Sequence, residues 1–136
     1  MNKLILVLSA LLLGAGTAHA TAFKSPTGNI VCVGDTSVVG GVECHIKSVS
    51  RYTTTKPKDC DLDWGHTFFV GRTGRSEVSC HGDVPPSLDA SGHRTLAYGK
   101  TIRGNGWSCT SAKSGMTCKN QSGHGFKLSK ANQRVF

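Results

Sequence analysis

Cys80-His81-Gly82-Asp83 sets an imidazole and a carboxylate within reach of each other, and His93 and His124 follow in a stretch rich in lysine. Two imidazoles beside a cation can cleave RNA by general acid–base catalysis, one ring taking a proton while the other gives one. His81, Asp83 and His124 are therefore the residues that a small secreted hydrolase such as a ribonuclease would use. Weighing against this, His45, His66, His81, His93 and His124 all fall after position 20, so chance adjacency is common. His124 also shares strand parity with Phe126 and Leu128. That parity points it into the core, where a hydrogen-bonded structural histidine is expected. No G-x-S-x-G motif supplies a nucleophilic serine. Asp59-Cys60-Asp61-Leu62-Asp63-Trp64-Gly65 begins like a calcium loop, but its glycine comes one place late and Val70 stands where a bidentate Glu belongs. These carboxylates read as ordinary turn residues. No metal or other cofactor is expected.

The six cysteines, Cys32, Cys44, Cys60, Cys80, Cys109 and Cys118, lie 12, 16, 20, 29 and 9 residues apart. The set contains no C-x-x-C pair and matches no common zinc site. How they are used depends on compartment. Met1 to Lys3 carry positive charge, Leu4 to Leu13 form an apolar run, and Ala18-His19-Ala20 supplies the small-x-small pattern of a signal-peptidase site. Residues 1–20 thus read as a cleaved leader and 21–136 as one disulfide-rich domain, free in the periplasm or secreted. The apolar run is well short of the roughly 20 residues that span a bilayer, and no later segment is apolar enough to do so. In an oxidising compartment an even cysteine count is a disulfide framework.

Register selects the pairing. Ile30-Val31-Cys32 and Cys44-His45-Ile46 flank a turn containing Gly40 and Gly41, and an antiparallel ladder joining Cys32 to Cys44 also sets Ile30 opposite Ile46. Near the C-terminus, joining Cys109 to Cys118 sets Ser111 opposite Met116 and leaves Ala112-Lys113-Ser114-Gly115 as a four-residue loop. Cys60 to Cys80 follows by elimination.

Other segments are short strands between turns. His66 to Val70 and Arg75 to Cys80 flank Gly71-Arg72-Thr73-Gly74, and Gly125 to Ser129 alternates apolar and polar residues. The stretch after Ser129 is the single weak helix candidate, with an extended tail as the alternative, and Pro85-Pro86 with Ser87 to Gly92 reads as a loop or linker. The fold class is all-β, a small disulfide-stapled antiparallel sandwich or partly closed barrel.

Phe23-Lys24-Ser25-Pro26-Thr27-Gly28-Asn29-Ile30 followed by Cys32 resembles one family, as do Gly41-Val42-Glu43-Cys44, Leu96-Ala97-Tyr98-Gly99, Gly115-Met116-Thr117-Cys118-Lys119-Asn120 and Gly123-His124-Gly125-Phe126-Lys127-Leu128-Ser129. It is a family of small secreted bacterial proteins of unknown function, widespread in actinobacteria. The resemblance spans nearly all of residues 21–136 and implies a single disulfide-rich domain, with no activity attached. Family members commonly carry Asp after the second cysteine, where this chain has His45.

Charge supplies the functional expectation. Lys and Arg number 16 against 8 Asp and Glu, a formal net charge of +8. From Ala90 onward Arg94, Lys100, Arg103, Lys113, Lys119, Lys127, Lys130 and Arg134 face no acidic residue in sequence. A one-sided potential raises encounter rates with anionic partners. The same cations also guard sheet edges and keep a β-protein soluble. Nucleic-acid readers interleave cations with exposed aromatics, whereas Trp107 and Phe126 read as core, so nucleic acid is disfavoured. Like charge disfavours an inhibitor of a cationic enzyme such as lysozyme. The expected function is a non-enzymatic binding module for an acidic protein or other anionic envelope component, in an inhibitor or immunity-like role.

Overall fold

The computed structural model describes residues 20–35, 40–84, 88 and 92–136. The leader up to position 19 and Pro85 to Ser87 of the proposed linker lie outside the described residues. Eleven strands are described: β1 Ala20–Lys24, β2 Ile30–Asp35, β3 Val42–Ile46, β4 Thr67–Val70, β5 Ser76–Val78, β6 Arg94–Thr95, β7 Thr101–Gly104, β8 Trp107–Ala112, β9 Gly115–Asn120, β10 Gly125–Ser129 and β11 Asn132–Val135. They form two sheets, ordered β5-β4-β3-β2-β1-β6 and β11-β10-β9-β8-β7. The sheets do not close on each other, so the fold is a sandwich and the barrel alternative falls away. No helix of the described residues is long and apolar enough to cross a membrane.

Alternation builds the core. In β3 Val42, Cys44 and Ile46 are buried while Glu43 and His45 between them are half-buried, and β8 and β9 repeat the pattern through Trp107, Cys109, Met116 and Cys118. The inward faces of both sheets share one cluster that includes Phe23, Phe68, Phe126 and Leu128, each wholly buried. Each such side chain contributes about 1.5 to 3 kcal/mol over its exposed state.

The disulfides join Cys32 to Cys44, Cys60 to Cys80 and Cys109 to Cys118, leaving no free cysteine. Ile30 lies opposite Ile46 and Ser111 opposite Met116. Cα separations of 4.1 Å at Cys32–Cys44 and Cys109–Cys118 mark the close, non-hydrogen-bonded kind of cross-strand pair.

Two local expectations are corrected. Ala112 pairs with Gly115, so the β8–β9 turn has two residues, Lys113 and Ser114, rather than four; Gly115 at φ 135° lets the ladder run to the turn. The stretch after Ser129 is not a helix; it is extended, as the alternative reading had it, and forms β11, paired with β10 from Ser129↔Asn132 to Phe126↔Val135. Gln133 fixes it there. This side chain is buried and donates from Nε2 to the main-chain oxygens of Arg51, Ser129 and Lys130, while its Oε1 accepts from Thr53 N.

β6 lies parallel to β1, with Phe23 opposite Arg94, at the far edge from β5. The connection from β5 must therefore travel the width of the first sheet. Val31, which points away from the core by alternation, is nonetheless fully buried, and Leu88 of that connection is also buried outside the core cluster.

Candidate functional site: a basic cleft and a histidine cluster

At one end of the sandwich the β1–β2 turn (Ser25–Asn29) and Lys47-Ser48, just after β3, face the β8–β9 and β10–β11 turns of the second sheet. Between them opens a cleft of about 940 Å³. Its walls are fixed by hydrogen bonds to the main chain. Asn29 Nδ2 donates to Ser48 O at 3.1 Å and Asn29 Oδ1 accepts from Ser48 N at 2.8 Å, which ties the first turn to the end of β3. Ser50 N and Arg51 N both donate to Lys130 O, which anchors the β10–β11 turn from the other side. Lys47, Lys113 and Lys130 line the cleft together with Asn29, several hydroxyls and the half-exposed Tyr98, and among the described residues no carboxylate lines it. Cations set among hydroxyl and amide donors suit an anionic ligand.

Of the eight cations named from sequence, the fold brings only Lys113 and Lys130 into this cleft. Arg103, Lys119, Lys127 and Arg134 lie on the outer face of the second sheet, since each alternates with core-facing neighbours; Arg134 also stands 5.2 Å over the Phe136 ring. Arg94 is on the edge strand β6, and Lys100 is exposed in the turn before β7. Lys47 and Asn29 escaped the sequence reading, which followed the acid-free segment instead. Position alone marks Lys47: it directly follows β3, whose last residue Ile46 is buried.

His81, Asp83 and His124 are not gathered into one site. His124 hydrogen-bonds through Nδ1 to the main-chain oxygen of Phe136 at 3.3 Å, and Ser76 at the start of β5 bonds the same oxygen. His81 lies beyond the other end of β5 in a bridge with Asp63. Asp83 is exposed. The expected burial of His124 is corrected as well. It is half-buried just ahead of β10, where the turn is organised by buried Asn120, whose Oδ1 accepts from Ser122 N and His124 N. Strand parity fails there because His124 precedes β10, whose first core-facing residue is Phe126. Asp59, Asp61 and Asp63 are exposed in the turns around the Cys60–Cys80 bond.

His81 instead meets histidines that sequence spacing does not connect. On the outer face of the first sheet the His45 ring stands 5.8 Å from His66 and 6.0 Å from His81, centroid to centroid. His45 Nδ1 shares a 3.0 Å hydrogen bond with the Thr67 hydroxyl. His66 donates through Nδ1 to Ile46 O at 2.6 Å, and Tyr52 OH lies 2.8 Å from His66 Nε2. Burial, then the neighbouring His66, His81 and Lys47, push the His45 pKa down to about 4. Burial raises Glu43 above the usual carboxylate range, with His81 opposing the shift.

A family model described as a family of unknown function, DUF6636, matches residues 3–136. The chain belongs to that family. No curated protein and no solved structure matches it. As a DUF6636 member the protein takes its functional reading from its own side chains.

Proposed function

We propose that this DUF6636 protein is an exported, non-enzymatic binding module that recognises an acidic segment of a partner protein through the cleft at the end of its sandwich. The observation that carries the reading is the convergence of Lys47, Lys113 and Lys130, from three separate parts of the chain, on one cleft that no carboxylate of the described residues lines. Export is supported by the leader pattern and by six cysteines that are all bonded, a usage that fits an oxidising compartment. The basic outer face carrying Arg103, Lys119, Lys127 and Arg134 adds long-range attraction that steers an anionic partner. The hydrolase alternative draws no support from the fold, because His81 follows one end of β5 in a bridge with Asp63, whereas His124 bonds the Phe136 main-chain oxygen that Ser76, at the other end, also bonds.

Isothermal titration with an oligoglutamate peptide, compared with a neutral oligoglutamine of equal length, tests this. The expected result is saturable binding of the acidic peptide, lost in Lys47→Glu/Lys113→Glu/Lys130→Glu and retained in Arg103→Glu/Lys119→Glu. Equal losses in the two variants would reduce the cleft to a share of general surface charge and overturn the assignment.

A further inference from the structure

We propose that the long connection from β3 to β4 holds a second binding site, a small pocket for the pyranose ring of a neutral saccharide. Tyr52, Thr54, Lys56, Leu62, Asp63 and Trp64 line a pocket of about 330 Å³. That volume lies at the lower end of the roughly 300 to 1,000 Å³ usual for small-molecule sites. None of these residues lines the basic cleft, so the two sites share no side chain.

Both walls of the pocket are held in place by the fold. On one side Gln133 of β11 pins the strap that carries Tyr52 and Thr54: Gln133 N donates to Thr53 Oγ1 at 2.7 Å, and Thr53 N donates to Gln133 Oε1 at 3.2 Å. On the other side the Cys60–Cys80 bond and a main-chain pair fix Leu62 to Trp64, with Asp63 N donating to His81 O at 2.8 Å and His81 N to Asp63 O at 3.1 Å. Tyr52 is oriented individually. His66 Nδ1 gives its proton to Ile46 O, so Nε2 of the neutral ring accepts, and the Tyr52 hydroxyl donates to it at 2.8 Å. The Tyr52 ring rests on Gly65, where an added Cβ would come within 2.8 Å of Tyr52 Cδ1. Side chains held in this way lose little freedom when a ligand arrives.

The lining selects the ligand class. Tyr52 and Leu62 are 57% and 54% exposed, and Trp64 stands with them partly buried. Large apolar groups gathered at one pocket mark a binding surface, whereas the same groups scattered singly do not. An apolar side chain of a partner fits an apolar socket, but here Thr54, Lys56 and Asp63 share the lining with the aromatics. A pyranose ring matches that mixture. Its faces present C–H bonds to Tyr, Trp and Leu, and its rim presents hydroxyls that both donate and accept. Asp63 accepts, Lys56 donates and Thr54 does both. One carboxylate and one ammonium balance, which suits a neutral ligand; Lys56 opposes a quaternary ammonium, the other common guest of Tyr and Trp. Among the described residues three buried side-chain polar atoms have no hydrogen-bond partner, and two of them, Thr54 Oγ1 and Trp64 Nε1, belong to this lining. Both residues therefore carry hydrogen-bonding capacity that the protein itself leaves unused.

Indole N–H resonances of isotope-labelled protein are followed during titration with cellotriose, maltotriose and triacetylchitotriose, with choline chloride as the cationic control. The chain has two tryptophans, and Trp107 is buried with its Nε1 bonded to Asp35 O. The Trp64 signal should move saturably with at least one of the three sugars, while the Trp107 signal and the choline titration stay flat. Calorimetry with that sugar then compares variants. Tyr52→Ala, Asp63→Asn and Trp64→Ala should each weaken binding by about fivefold or more, and the first two keep the test open where Trp64→Ala fails to fold. Phe69→Leu, which removes an exposed aromatic outside the pocket, should leave affinity within about twofold. Absence of saturable binding for all three sugars, saturable binding of choline, a shift of Trp107 without Trp64, or undiminished affinity in folded Tyr52→Ala and Asp63→Asn would each overturn the site.

Discussion

Cys44 Sγ lies 3.6 Å from Cys118 Sγ, so the disulfide of one sheet rests on the disulfide of the other at the centre of the sandwich. Neither sulfur carries a hydrogen, and the contact is one of packing. Each bond should stabilise by about 2 to 4 kcal/mol through restriction of the unfolded chain. Because the two bonds share a core contact, their removal should not be additive. Cys32→Ala/Cys44→Ala combined with Cys109→Ala/Cys118→Ala should show a coupling of about 0.5 to 3 kcal/mol in urea unfolding. Losses that simply sum would mean the contact has no energetic weight.

Trp107 spans the sandwich in a different way. Its ring stacks on Phe23 with centroids 6.2 Å apart, its Nε1 donates to Asp35 O at 2.7 Å, and it lies against Gly34 and Gly104 so closely that a Cβ on either would overlap the indole. Gly34→Ala should cost about 1 to 3 kcal/mol by overpacking. In Gly34→Ala/Trp107→Phe the smaller ring frees space, and the loss should fall below the sum of the single losses. Melting curves of the three variants decide it.

Much of the sandwich is legible in the sequence because its signals are local. The hairpins β2–β3 and β8–β9 announce themselves through cysteine register, and Phe68 and Val78 pair as the flanks of Gly71 to Gly74 suggest. β11 is hidden because Gln133, polar by type, is buried by hydrogen bonds to Arg51 and Thr53, some 80 residues away in sequence. The cleft and the histidine cluster are hidden for a similar reason. Lys47 meets Lys113 and Lys130, and His45 meets His81, only after the sheets are stacked and the Cys60–Cys80 loop is laid over β3. The acid-free run beyond Ala90 is continuous in sequence, yet it divides between a cleft, an edge strand and an outer face.

Gln133 and His124 invert the ranking that strand parity suggests. His124→Ala should cost less than about 1 kcal/mol, because its side chain is half-exposed and its one hydrogen bond is 3.3 Å long. Gln133→Leu leaves the Thr53 amide without its side-chain acceptor and places an apolar group against three main-chain oxygens. It should cost about 1 to 3 kcal/mol. Chemical denaturation of the two variants side by side tests the order; a larger loss for His124→Ala would place that ring in the core after all.

Salt should separate the two basic surfaces. Reversing Lys119 and Lys127 on the outer face should lower the association rate for an acidic peptide at low ionic strength and leave dissociation nearly unchanged, as expected of steering charges. Reversing Lys113 and Lys130 should also speed dissociation, because those charges line the cleft proposed to hold the ligand. Stopped-flow association at two ionic strengths makes the comparison. Identical kinetic signatures for the two pairs would dissolve the distinction between cleft and face.

Acid should loosen the first sheet through His45. Its folded pKa is about 4, below the ordinary value of 6.5 that the unfolded chain presents, so between these values the unfolded state binds more protons than the folded one. The contribution is therefore intact above about pH 6.5 and is lost progressively as pH falls toward 4. The ring is half-exposed, so solvent screening reduces the stability at stake to roughly 1 to 2 kcal/mol. Glu43 acts in the opposite direction within the same region: its raised pKa means that protonation on acidification favours the folded state and blunts the loss. Wild-type stability should decline between pH 6.5 and 4. His45→Gln, which cannot take up a proton there, should flatten the profile, and Glu43→Gln should steepen it. Parallel profiles for wild type and His45→Gln would show that the decline arises from other groups.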